Sequence, residues 1–119
     1  MAKKIMVVDD DADIRSTLKT VLEKNGFKVT LAVNGDDCLK KLKTSKPDAI
    51  LSDIMMPGTQ VREMVKQIKS VPIAFISVVR MSDIEKEELG KQKNVKDYIQ
   101  KPFDLDDLIR RVKRLVENE

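Results

Sequence analysis

Histidine is absent from all 119 residues, which excludes imidazole metal sites, an imidazole general base and a phosphohistidine carried by the chain itself. The single cysteine, Cys38, can form no internal disulfide, and no cysteines stand at metal-ligand spacing. Tryptophan is also missing, and only Phe27, Phe75 and Phe103 accompany Tyr98 as aromatics. They are not interleaved with basic residues as a base-stacking surface requires, so nucleic acid is not expected as a partner of this domain alone. The few glycines and prolines are spread out and form neither a linker nor a low-complexity tract. No apolar run approaches a membrane span. The start, Met1-Ala2-Lys3-Lys4 followed by Ile5–Val8, is too short and too soon acidic for a secretion signal. The expectation is a reduced, soluble, cytoplasmic protein with no membrane partner.

What is present suits one domain over 1–119, since 41% hydrophobic and 36% charged residues are a globular balance and the length suffices for one core. The net charge of +3 is unevenly laid out. Acidic residues gather at 9–13, 36–37 and 104–107, basic ones at 40–46, 91–96 and 110–114. A modest positive charge favours an acidic partner.

Lys4–Asp9 reads as a strand, because Ile5-Met6-Val7-Val8 is continuously apolar, as in a strand buried on both faces. Over 12–25 the period changes: Ile14, Leu18, Val21 and Leu22 share a helical stripe, with Arg15, Lys19 and Glu23 on the polar side. Asn25-Gly26 stops that helix. Val29, Leu31 and Val33 alternate, as in a less buried or edge strand. Asn34-Gly35 turns, and Asp36-Asp37 favours a helix running through Cys38, Leu39 and Leu42 to about Ser45.

Beyond Pro47, Ala49–Ser52 forms a central buried strand that ends on Asp53, and Val61, Met64, Val65 and Ile68 make the next helical stripe. Ile73-Ala74-Phe75-Ile76 is a strand ending at Ser77. Between Asp83 and Gly90 only Ile84 and Leu89 are apolar, which predicts a short, poorly anchored helix, with Lys91–Asn94 as loop. Val95–Ile99 is a fifth strand closed by Lys101-Pro102. The last helix has Asp104 as N-cap, Asp107 at the third position of a capping-box variant, and a Phe103–Leu108 staple. Leu105, Leu108, Ile109, Val112, Leu115 and Val116 line its buried face, while Arg110, Arg111, Lys113 and Arg114 sit mostly outward. Five strand–helix repeats predict an α/β fold with a five-stranded parallel sheet of order 2-1-3-4-5 and five helices on its two faces.

In such a sheet a ligand site lies at the carboxyl ends of the strands, where Asp9, Asp10, Asp53, Ser77 and Lys101 converge. Crowded carboxylates repel and raise one another's pKa unless a hard divalent cation intervenes, and carboxylate oxygens suit Mg²⁺. A cation, a lysine and a hydroxyl are also what a transferred phosphoryl group needs around its oxygens, and an aspartate can accept it as an acyl phosphate. Chemistry leaves open which of Asp9, Asp10 and Asp53 accepts; the central strand favours Asp53.

Ile5-Met6-Val7-Val8-Asp9-Asp10-Asp11, Asp53-Ile54-Met55-Met56-Pro57, Ser77 and Lys101-Pro102-Phe103 together resemble the receiver domain of two-component response regulators, over essentially the whole chain. The resemblance implies a flavodoxin-like three-layer sandwich and a phospho-accepting role for Asp53. It also implies Mg²⁺, with Mn²⁺ as a substitute, held by Asp10, Asp53 and the Met55 backbone carbonyl, with Asp9 acting through water. Ser77 and Lys101 would bind the phosphoryl group, Tyr98 would be the aromatic switch, and the bond to Pro102 would be cis. The implied donor is a sensor histidine kinase or phosphotransfer protein. The implied output is a downstream protein or a self-dimer, through the face of the fourth helix, fifth strand and fifth helix.

Three departures qualify the resemblance. Val61 replaces a usual glycine, Val78 replaces a usual small residue after Ser77, and the segment 83–96 carries a basic loop with Lys91, Lys93 and Lys96. Val78, Val79 and Met55 would form an apolar rim that modulates access to Asp53, slowing phosphorylation by small donors and slowing hydrolysis. Two other functions compete. A pseudo-receiver acting only as an interaction module is kept in play by Val61 and Val78. A Mg²⁺-dependent aspartyl-phosphate hydrolase would need an acid two residues after Asp53, where Met55 stands. The chain ends soon after the last helix, which fits either a stand-alone regulator or a receiver taken from a longer protein.

Overall fold

The structure, a computed structural model, describes residues 2–53, 66–68, 70–77 and 94–117, with Ser77 by its backbone only. The apolar runs form strands β1 (Lys4–Val8), β2 (Lys28–Ala32), β3 (Ala49–Asp53), β4 (Ile73–Ser77) and β5 (Val95–Gln100). Between and after them lie α1 (Ala12–Lys24), α2 (Gly35–Leu42) and α3 (Leu105–Glu117). All strand pairs are parallel, in one five-stranded sheet of order β2-β1-β3-β4-β5. This is the expected flavodoxin-like arrangement.

Continuous apolar runs feed two cores, because successive side chains on a strand point to opposite faces. Ile5, Val7, Leu51, Ala74 and Ile76 pack with Leu18 and Leu22 of α1 and with Leu108, Val112 and Leu115 of α3. Met6, Val8, Ile50, Ile73 and Phe75 face the other way, onto Cys38 of α2 and Ile68. Burial of Cys38 pushes its thiol up to about 12, so it serves as a small apolar core residue.

The expectation of five helices is corrected: the described residues contain three. Each has an Asx side chain at its start and an apolar stripe on the sheet. Of the stripe expected from Val61 to Ile68, only Lys66–Ile68 are described, with Lys66 and Gln67 helical, and the whole of 83–90 lies outside the described residues.

Local chemistry explains where the helices begin and end. The Asp11 carboxylate accepts the backbone N–H of Asp13 at 2.8 Å and of Ile14 at 3.3 Å, capping α1. Gly26, at φ +90°, lets the chain leave α1 by a left-handed step, and Phe27 N–H bonds back to the Leu22 carbonyl at 3.1 Å. Helix α2 is capped by Asn34, which accepts the Asp37 N–H at 2.8 Å, so it starts before the Asp36-Asp37 pair and ends at Leu42. Asp37 in turn accepts the Val33 N–H at 3.0 Å. Val33 lies just past the end of β2 and is 46% exposed, so the alternation expected to run to Val33 stops at Ala32. At α3, Asp104 accepts the Asp106 N–H at 2.8 Å. The capping-box role expected of Asp107 gives way to ion pairs: its two oxygens meet Arg110 at 3.3 Å and Arg111 at 3.1 Å. Arg111 is half-buried rather than outward and ties α3 to β5 through Asp97 and the Tyr98 carbonyl, each at 3.1 Å. Asn94, at the start of β5, is buried and donates to the carbonyls of Ile68 and Val71. Among the described residues no helix is long and apolar enough to cross a membrane.

Candidate functional site

Parallel pairing of β1 with β3 matches Val8 to Ser52, so the residues that follow stand side by side, Asp9 just past the end of β1 and Asp53 as the last residue of β3. Asp9 N–H makes the last sheet-like bond, to the Ala32 carbonyl at 3.1 Å. Asp9 and Asp53 are buried, at 2% and 8% exposure, while Asp10 is open to solvent. One carboxylate oxygen from each of Asp9, Asp10 and Asp53 lies within 4.8 Å of the others. Lys101, just past β5, reaches into the group: its Nζ stands 3.2 Å from Asp9 Oδ2 and 3.5 Å from Asp53 Oδ2.

The electrostatics are unbalanced in an informative way. Burial pushes the Asp9 carboxyl above its ordinary value, and the charge of Asp53 adds to this. The Asp11 N–H, donating to Asp9 Oδ1 at 2.9 Å, and the Lys101 ammonium pull the other way without cancelling it. Among the described residues three carboxylates meet one lysine ammonium, which gathers oxygen donors at one point. A hard divalent cation fits that donor set, because such ions take carboxylate oxygens and retain waters.

The other expected site residues divide by what is described. Ser77 ends β4 opposite Gln100, and only its backbone is described. Tyr98 is half-buried on β5, its ring stacked on Phe75 with centroids 6.1 Å apart, and burial raises the pKa of its hydroxyl. The Lys101–Pro102 peptide is cis. Met55, Val61, Val78 and Val79, with the basic loop residues Lys91 and Lys93, lie outside the described residues. One contact at the site was not anticipated from sequence. The Arg15 Nη1 donates to the backbone carbonyl of Asp9 at 2.7 Å. The available signal was a cation in the first turn of a helix, where the helix dipole disfavours it.

An open parallel sheet with a carboxylate trio and a lysine at its carboxyl edge defines a class: α/β domains built to handle a metal-assisted phosphoryl group. The family model for the response regulator receiver domain matches residues 5–113, and the chain belongs to that family. It is thus a phospho-accepting signalling domain of two-component phosphorelays rather than a catalytic enzyme, with Asp9, Asp10 and Asp53 set out for metal-assisted phosphorylation. It is 37% identical over 118 residues to the alkaline phosphatase synthesis transcriptional regulatory protein PhoP of Bacillus subtilis, covering 98% of this chain and 49% of that one. It is 31% identical to the response regulator MprA of Mycobacterium ulcerans, covering 98% of this chain and 51% of that one. The chain therefore spans about half the length of these curated relatives. Among solved structures it is similar to the receiver domain of the Francisella response regulator 1452, with a TM-score of 0.86 and 34% identity over 98% of both chains. It is also similar to a two-component response regulator from Clostridium difficile, with a TM-score of 0.88 and 26% identity over 97% of this chain and 96% of that one.

Proposed function

We propose that residues 1–119 form a single cytoplasmic receiver in which Asp53 accepts a phosphoryl group from the phosphohistidine of a sensor kinase or phosphotransfer protein. A carboxylate oxygen of Asp53 bonds to phosphorus while the P–N bond breaks, and the departing imidazole nitrogen keeps the electron pair. Mg²⁺, or Mn²⁺ in its place, would be held by Asp10, Asp53 and the Met55 carbonyl, with Asp9 contributing through water, and would neutralise charge on the transferring group. Lys101, shared between Asp9 and Asp53, is the cation that turns to a phosphoryl oxygen once Asp53 is modified. Ser77 binds another of those oxygens, and Tyr98 on β5 relays the change to the output face. That face includes β5 and α3, where Pro72, Lys96, Asp97, Arg111, Arg114 and Leu115 line a cleft of about 320 Å³. It is offered to a downstream protein or to a second copy of the chain.

The observation that carries this reading is the carboxylate trio with Lys101 within 3.5 Å of both Asp9 and Asp53. The test is incubation with Mg²⁺ and acetyl phosphate or a panel of phosphorylated histidine kinases, read by intact mass. The chain is expected to gain one phosphoryl group, and Asp53→Asn none. No gain from any donor would favour the interaction-module reading instead. In the same series Val78→Ala is expected to gain and lose the group faster, since Met55, Val78 and Val79 as apolar residues beside the site would screen Asp53. Unchanged rates would remove that part of the reading.

A further inference from the structure

Asp9 is held at every polar point. Its N–H donates to the Ala32 carbonyl, its Oδ1 accepts from Asp11 and its Oδ2 from Lys101. Among the described residues its carbonyl has no strand partner, because β1 ends at Val8 and the chain is leaving the sheet. That carbonyl belongs to the peptide plane joining buried Asp9 to exposed Asp10, so the plane's tilt sets the direction in which the Asp10 carboxylate projects. The sheet cannot set that tilt. Arg15 does, donating from Nη1 at 2.7 Å in a charge-assisted bond.

Arg15 is well placed for such a task and poorly placed for any other. It stands in the first turn of α1, anchored by its own N–H to the Asp11 carbonyl at 3.1 Å. A positive charge there opposes the helix dipole, so the charge itself brings α1 no stability. Its planar, always-charged fork suits a fixed bond to one carbonyl better than the flexible ammonium of a lysine does.

We propose that Arg15 is a positioning residue for the metal site: by fixing the Asp9–Asp10 peptide it preorganises the Asp10 carboxylate toward Asp53. This rests on the reading of Asp9, Asp10 and Asp53 as a cation site. Hydrogen bonds that orient a metal ligand typically govern metal affinity by about 10- to 100-fold.

The experiment compares the wild-type chain with Arg15→Met, Arg15→Lys and Lys19→Met, the last an exposed cation on the same helix. Mn²⁺ dissociation constants come from the paramagnetic resonance of free Mn²⁺. Phosphorylation by acetyl phosphate is followed against Mg²⁺ concentration, and folding is monitored by thermal unfolding in chelator. Both Arg15 variants are expected to weaken Mn²⁺ binding about 10-fold. They should raise the Mg²⁺ half-saturation by the same factor, keep most of the rate at saturating Mg²⁺, and leave Lys19→Met at wild-type values. Two results would overturn the proposal: Arg15 variants that melt earlier but bind Mn²⁺ as the wild type does, and tighter binding in Arg15→Met with wild-type binding in Arg15→Lys. The first reduces Arg15 to a helix residue, and the second reduces it to a repelling charge. A wild-type chain that binds no Mn²⁺ would remove the cation site itself and the proposal with it.

Discussion

Two aspartates show how much a carboxylate's meaning depends on its neighbours. Asp37 accepts the Val33 N–H and pairs with Lys41 at 3.2 Å, and these contacts hold its carboxyl below the ordinary value of 3.8. Its ionised form is therefore favoured in the folded chain, and the stability it supplies is present above the unfolded value and lost as pH falls through the folded one. Asp37→Asn, which keeps an acceptor oxygen but drops the charge, should melt below the wild type at pH 7. The gap should close as pH falls well below 3.8. Thermal unfolding across that range checks it, and an equal gap at both ends would point to packing instead of charge. Asp9 is the opposite case, with burial raising its pKa, so its ionised form is held against the preference of the fold. Carboxylates held at such a cost are found where charge is needed for function. Both residues were plain in the sequence; the direction of each shift was not, because it depends on burial and on partners brought in from other elements.

At the scale of elements, helix α1 depends on a single residue at its start. Asp11 occupies two of the N–H groups that have no partner within the helix. Asp11→Ala should cost about 1 kcal/mol of stability, read as a lower urea midpoint with unchanged slope. A changed slope would mean that the replacement alters more than the cap. Strand identity and parallel pairing were legible throughout, since apolar runs of this length between turn residues have few alternatives. Ends were less legible. The helix favoured by Asp36-Asp37 begins earlier, at Gly35 with Asn34 as its cap, and β2 ends one residue short of Val33, whose N–H goes to Asp37. Asp107 turned to Arg110 and Arg111, because a helix surface brings residues three and four positions away into contact. These outcomes are competitions between neighbouring polar groups, and periodicity does not rank the competitors.

Across the whole molecule, β3 is the strand on which both cores depend. Leu51 is fully buried and packs with the α1 and α3 side, while its neighbour Ile50 packs with the α2 side. Leu51→Ala should cost about 2–5 kcal/mol, a large share of the roughly 5–15 kcal/mol that holds a domain of this size folded. Chemical unfolding measures it, and a cost well under 1 kcal/mol would mean that the two layers close over the gap. By itself the sequence determined the parallel sheet, its strand order, and the meeting of Asp9, Asp10, Asp53 and Lys101 at one edge. Right-handed crossovers between apolar strands leave strand-end residues no other common place. Tertiary structure alone decided that Lys101 is shared between Asp9 and Asp53, that Asp9 is buried while Asp10 is open, and that Arg15 bonds back to the Asp9 carbonyl. Those contacts depend on the paths of side chains across elements, which the spacing of residues along a chain does not encode.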